Sequence, residues 1–317
     1  MNNITSGRKA AEVICETLME EGKKNRDLLV LTSDSRGSGA LKPFADALPA
    51  QIIEVGIAEQ NLVTISSGLA HSNKRPFAFS PSSFLSMRSI EQIKDDVAYS
   101  DTNVKLVGIS GGNSYSDLGS THHSLQDLAI TRAIPNLEVY MPCDQYQTRA
   151  LFKYLTHSPK PAYVRIGKKQ LEDIYTNEEE AFIPGKAKII RPGKDIAIIG
   201  SGETLSIAIH TAEELKNSGI SAEVVDFATI KPLDVDMINE LCEKFHAMIS
   251  VEEHSIYGGL GSAIAEVVAG KVNTKLKIIG FPDEPAIAGT QDEVFDYYGI
   301  SPANIAQVAK DMLLSVH

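Results

Sequence analysis

The stretch Glu54-Val55-Gly56-Ile57-Ala58-Glu59-Gln60-Asn61 decides how this chain is read. It follows a short apolar run, Gln51-Ile52-Ile53, and leads directly into an apolar helical pattern that continues to Ala70. Glu59 is thereby set at the mouth of a helix, just after a strand. An acidic side chain there complements the helix macrodipole. The same placement also suits chemistry, because a carboxyl group in a largely apolar pocket is kept from water and its proton affinity rises. Only the rest of the chain separates these two readings.

Working outward, strand-like apolar runs alternate with helical periodicity along all 317 residues, the pattern of parallel sheets wrapped by helices. The first half predicts helices at 8–21, 57–71, 84–98, 124–132 and 145–155. Strands are expected at 28–32, 77–79, 104–109, 137–141 and 162–165. An acidic, irregular stretch at 168–184, containing Glu178-Glu179-Glu180, marks a linker. Beyond it, 187–191 and 195–199 are expected to form a hairpin about Pro192-Gly193-Lys194. Further strands are expected at 222–226, 247–251 and 275–279, with helices at 204–217, 236–244, 261–269 and 301–314. The expected division is a first domain at 1–168, a linker at 169–190 and a smaller second domain at 191–317.

Composition narrows the function classes. A net charge of −11 argues against a general nucleic-acid surface and offers nothing to an anionic membrane. No apolar run approaches the roughly 20 residues that span a bilayer, and the polar N-terminus lacks the core of a signal peptide. Cys15, Cys143 and Cys242 form no CxxC pair and read as small residues in a reducing compartment. A cytoplasmic location is expected. Gly200-Ser201-Gly202-Glu203-Thr204 lacks the third glycine of a dinucleotide loop, and Gly258-Gly259-Leu260-Gly261-Ser262 reads as a tight strand-to-helix turn.

The opening stretch closely resembles the cofactor-activating segment of thiamine diphosphate enzymes of the transketolase and deoxyxylulose-phosphate synthase group. The resemblance implies that Glu59 shares a proton with the aminopyrimidine N1′, favouring the imino tautomer that deprotonates thiazolium C2. Phe84-Leu85-Ser86-Met87-Arg88-Ser89-Ile90 resembles the segment whose aromatics enclose that ring. Phe84 matches the stacking phenylalanine, and Met87 stands where a second aromatic is usual. Phe84, Met87 and Ile90 also have the spacing of an ordinary helical core face. Asp117-Leu118-Gly119-Ser120-Thr121-His122-His123-Ser124 resembles the family's Asp-Gly-x-Thr-His loop. His122 matches the histidine that contacts the reacting sugar carbonyl or its hydroxyl, a role suited to a group titrating near neutral pH. Leu118 occupies the family's aspartate position, with Asp117 one residue earlier, and Ser110 replaces a second histidine. Arg8, Ser38 and Arg165 match three positions of the family's phosphate clamp, where guanidinium groups bind phosphate as a fork. Asp34 matches a position near the cofactor.

The resemblance covers nearly the whole chain but only the C-terminal half of a full-length transketolase. It implies an α/β fold of two domains: a pyrimidine-binding domain with a parallel sheet flanked by helices, and a smaller C-terminal α/β domain. The Gly-Asp-Gly metal signature occurs nowhere in the sequence. Thiamine diphosphate and Mg²⁺ would therefore be completed by a partner N-terminal subunit carrying the metal ligands, with this chain also self-associating. The implied activity is transfer of a two-carbon ketol unit between a ketose phosphate and an aldose phosphate. The alternative is the beta subunit of a 2-oxo acid or acetoin dehydrogenase decarboxylating component. A third reading is a non-catalytic partner that retains the fold. The Ser-Thr-His-His loop and the clamp positions favour the first.

Overall fold

The computed structural model describes residues 6–271 and 274–314. Its first sheet runs in the order Thr229–Lys231, Glu138–Tyr140, Ala162–Arg165, Lys105–Ile109, Arg75–Pro81, Leu28–Thr32 and Ile52–Glu54. All neighbours are parallel except the first pair. Leu28–Thr32, Lys105–Ile109 and Ala162–Arg165 are buried along their whole length. That burial explains why they read as continuous apolar runs and not as alternating ones. The second sheet has the order Lys275–Phe281, Ala247–Ser255, Ile196–Gly200, Ala222–Asp226 and Lys188–Arg191.

Three local expectations change. The hairpin is absent: Lys188–Arg191 pairs antiparallel with Ala222–Asp226, which lies between it and Ile196–Gly200. Ile196–Gly200 is fully buried and takes a parallel neighbour on each side, whereas the half-buried Lys188–Arg191 is suited to an edge. The helix expected from residue 8 begins at Ala10, because Ser6–Lys9 is a strand paired with Gln170–Glu172 inside the expected linker. The helix expected over 84–98 is broken into Ser82–Arg88, Ile90–Gln92 and a π-helix at Ile93–Tyr99. Ser86 and Ser89 donate back to the carbonyls of Ser82 and Leu85, a contact that bends helices, and the chain turns at Ser89.

The two domains are joined by more than the linker. Thr229–Lys231, from the second half of the chain, closes the edge of the first sheet beside Glu138–Tyr140. A continuous apolar cluster includes Leu106, Val139 and Met141 from one side and Ile199, Phe227 and Phe245 from the other. Within this seam Arg165 is 1% exposed. Its guanidinium donates to the Glu253 carbonyl and lies 3.3 Å from Glu253 Oε2 and 3.5 Å from Asp127 Oδ1. Gln291 Nε2 links Glu253 to the buried Glu203, at 2.7 Å to each. Burial and the neighbouring Glu203 hold the Glu253 carboxyl well above the usual carboxylate range, despite Arg165. Burial pushes the adjacent Glu252 up to about 8 and His254 down to about 4. Among the described residues no helix is long and apolar enough to cross a membrane.

Two outcomes follow from this seam. Arg165→Met leaves Asp127 and Glu253 without their cation, and should cost about 3–5 kcal/mol in urea unfolding. Glu252 holds its proton more tightly folded than unfolded, so its contribution is full at low pH. That contribution is lost as pH rises from about 4.5 through about 8. His254 runs the opposite way, losing its contribution as pH falls from about 6.5 through about 4. Thermal midpoints should therefore decline from pH 6 to pH 9, and Glu252→Gln should flatten that decline.

Candidate active site

Glu59, Phe84 and His122 each follow the carboxyl end of a parallel strand, where open α/β sheets place their ligands. Beyond Ile52–Glu54 the chain turns through Gly56, at φ +75°, into the helix Glu59–His71. Glu54 sets this turn, since its Oε1 accepts from the backbone N–H of Asp34 at 2.7 Å and of Gly56 at 3.1 Å. Glu54 thus ties the ends of two neighbouring strands together and aims the first residue of the helix. That residue is Glu59, only 5% exposed.

Glu59 does not stand alone. Arg88 Nη1 donates to both of its oxygens at 3.1 Å. Arg88 is four residues beyond Phe84 on the helix Ser82–Arg88, so the two side chains share a face. The guanidinium carbon lies 4.1 Å above the Phe84 ring centroid. Phe84 also meets His122, with ring centroids 5.3 Å apart in an edge-on arrangement. Tyr115 meets the same histidine at 5.8 Å. Glu59, Arg88, Phe84, His122 and Tyr115 therefore form one connected group, drawn from three strand ends.

The two adjacent histidines diverge. His122 is half-buried, with Thr121 Oγ1 3.0 Å from its Nδ1. His123 turns inward, where its Nε2 lies 3.0 Å from the Ser116 carbonyl and burial lowers its pKa. The loop that carries them is held by the second domain, since Ser120 Oγ donates to the Ala286 carbonyl at 2.8 Å. It is held also by the seam, since the Asn113 N–H donates to Glu253 Oε1 at 2.7 Å.

The remaining expected residues are distributed differently. Met87 is 55% exposed at the rim beside Phe84, and Asp34 is exposed at the end of Leu28–Thr32 in a left-handed conformation. Asp117 lies exposed on the turn Ser116–Leu118, with no hydrogen bond or ion pair joining it to His122. The expected phosphate clamp is not assembled. Arg8 is taken by Glu16, at 2.5 and 2.7 Å. Arg165 is sealed in the domain seam, where release would strand two buried carboxylates. Ser38 borders a cavity of about 250 Å³ shared with Lys9, Glu12, Ser110 and Lys168. Lys168 Nζ also lies 5.3 Å from the Tyr115 ring centroid, which connects that cavity to His122.

Sequence reasoning overlooked Arg88, Tyr115 and Lys168. The i, i+4 spacing of Phe84 and Arg88 was a usable signal; the other two become visible only through the loop's path. A buried carboxylate beside one aromatic face fits the basic, flat aminopyrimidine end of the expected cofactor. Among the described residues no group of three or more His, Cys, Asp or Glu side chains could hold a metal ion.

Comparison with known proteins places both halves of the chain in one family. The transketolase pyrimidine binding domain matches residues 7–173, and the transketolase C-terminal domain matches residues 185–305. A protein of Phocaeicola vulgatus, named as a subunit of apulose-4-phosphate transketolase, is 43% identical over 312 residues, 98% of this chain and 99% of its own. A putative transketolase C-terminal section of Methanocaldococcus jannaschii is 42% identical over 294 residues, 92% of each chain. A solved structure described as a split gene transketolase, inactive beta4 tetramer, superposes with a TM-score of 0.88 at 32% identity. It covers 97% of this chain and 99% of that one.

Glu54 offers a direct test of how the turn is built. Glu54→Ala removes two charge-assisted bonds to backbone N–H groups, each worth about 1.5–3 kcal/mol at most. Amide hydrogen exchange should accelerate at Asp34 and Gly56 and remain unchanged in the buried strand Lys105–Ile109.

Proposed function

This chain belongs to the transketolase family, and from that premise we propose that it is the pyrimidine-binding subunit of a two-chain transketolase. It would move a two-carbon ketol unit from a ketose phosphate to an aldose phosphate. The observation that carries the reading is the convergence of Glu59, Phe84 and His122, through Arg88, on one group at three strand ends. Thiamine diphosphate, the family's cofactor, supplies an electron sink for breaking and forming the C–C bond when bound. Glu59 would share a proton with the ring nitrogen through its carboxyl oxygen. Phe84 would cover one face of the ring, with Met87 at its edge and Asp34 nearby. If Thr121 donates to His122 Nδ1, Nε2 carries the proton and can give it to a substrate oxygen.

A partner N-terminal subunit is assigned the diphosphate-binding domain and the Mg²⁺ ligands, since this sequence contains no Gly-Asp-Gly. Ile57, Met87 and Leu118, which are 74%, 55% and 51% exposed, support that assignment. Each lies on a segment that carries Glu59, Phe84 or His122, giving the site an apolar rim of the kind a partner covers. The relative described as an inactive beta4 tetramer supports self-association without activity. With Arg8 and Arg165 engaged elsewhere, the substrate's phosphate is assigned to the cavity of Ser38, Ser110, Lys9 and Lys168. The relative named for apulose-4-phosphate supports an anionic substrate end.

Purified alone, the chain should be catalytically silent, and adding the N-terminal subunit should restore Mg²⁺-dependent ketol transfer. Robust transfer by the isolated chain would sink the two-chain reading. In the reconstituted enzyme, Glu59→Gln should slow C2 proton exchange by roughly 10²- to 10⁴-fold. An unchanged rate removes Glu59 from the mechanism.

The phosphate assignment has its own test. Lys168→Ala should lower kcat/KM for a ketose phosphate by roughly tenfold while sparing the unphosphorylated sugar. Equal losses on both substrates would reject the cavity as the phosphate site.

A further inference from the structure

We infer that Arg88 is a displaceable counter-charge: it closes over Glu59 and Phe84 in the free chain and must leave both for the cofactor's pyrimidine ring to enter. The inference rests on the assignment of Glu59 and Phe84 to that ring. Both features that a flat, basic ring would use are already engaged by one side chain. Arg88 Nη1 is 3.1 Å from each Glu59 oxygen, and its guanidinium carbon is 4.1 Å over the Phe84 ring. A guanidinium and an aminopyrimidine cannot occupy the same ring face and the same carboxylate.

The two members of the ion pair differ in how freely they can move. Glu59 is 5% exposed and anchored at the first turn of a long helix, whereas the Arg88 side chain is 48% exposed. Arg88 is also the last residue of its helix, before the break at Ser89. Arg88 can therefore rotate into water and Glu59 cannot, and the cost of parting falls on the carboxylate left behind. With the cation gone, the buried carboxylate lacks a counter-charge until the ring nitrogen shares a proton with it. Proton sharing also requires departure, since Arg88 already occupies both carboxylate oxygens that a ring nitrogen would approach. Closure by Arg88 thus reduces apparent cofactor affinity by the fraction of chains in which the pocket is open.

The test uses the enzyme reconstituted with its N-terminal subunit and Mg²⁺. Thiamine diphosphate association is followed by stopped-flow fluorescence, and affinity by calorimetry. Arg88→Ala should bind the cofactor roughly tenfold faster and more tightly, the scale expected when a partly exposed ion pair no longer competes. Arg88→Lys should fall between, because a point charge neither bridges both oxygens nor stacks as a guanidinium does. A second readout needs no cofactor: Arg88→Ala should lower the thermal midpoint of the isolated chain, and Arg88→Ala/Glu59→Gln should recover it. Slower, weaker or unchanged cofactor binding by Arg88→Ala would overturn the inference, the first two making Arg88 a cofactor contact. If Glu59→Gln retains wild-type affinity and C2 exchange, the assignment of the ring site fails instead, whatever Arg88 does.

Discussion

Arg165 leaves the end of a fully buried strand with no route to solvent, so its charge has to be met where the two domains join. Asp127 from the first domain and Glu253 from the second meet it there. Three buried acids, Asp127, Glu203 and Glu253, surround one cation, and Gln291 bridges two of them. A cluster with more acid than base stays buried only by retaining a proton, consistent with the raised proton affinity of Glu253. Close approach is part of the same constraint. A side chain at Gly111 or Gly112 would collide with Arg165, so the loop that leads to His122 has to begin with two glycines. The seam therefore serves the candidate site as well as stability, because it holds the root of the loop that carries His122.

A second constraint acts across the mouth of the first sheet. Glu54 spends one carboxylate oxygen on two backbone N–H groups, which fixes the exit of one strand and the entry of the next helix. Glu59 is buried as a consequence of that turn. Because a buried carboxylate needs a partner, the fold provides Arg88 from a helix that ends beside it. The site is thus built for exchange: rigid elements present Glu59 and Phe84, and a mobile cation on the rim can yield to a ligand. Its outer side carries Ile57, Met87 and Leu118 in the open, an apolar face of the kind a partner covers.

Most of the secondary structure was legible because the signals are local. The strands Leu28–Thr32, Ala162–Arg165 and Ala222–Asp226 and the helix Thr204–Asn217 lie where apolar period and length put them. The two misread strand pairings share a cause. Lys188–Arg191 and Ile196–Gly200 are separated by a turn-like Pro-Gly-Lys, yet a strand more than twenty residues further on inserts between them. Ser6–Lys9 is a strand only because Gln170–Glu172 comes back to pair with it. Short edge strands carry little periodicity, and their partners are distant in sequence. In the site, Glu59, Phe84 and His122 could be named from local motifs, while Arg88, Tyr115 and Lys168 had no motif to mark them.

The sequence by itself determined the α/β class through local periodicity, and the family through motifs that resemble it. The same motifs marked Glu59, Phe84 and His122, which the fold brings into one connected group. The tertiary structure alone decided which charges are free. Three arginines are chemically alike, yet Arg8 is paired on the surface, Arg165 is locked in the domain seam and Arg88 sits over the buried Glu59. The physical reason is that a buried carboxylate, such as Glu59, Asp127 or Glu253, has to be met by a cation, and burial is a property of the packed chain that no local pattern encodes.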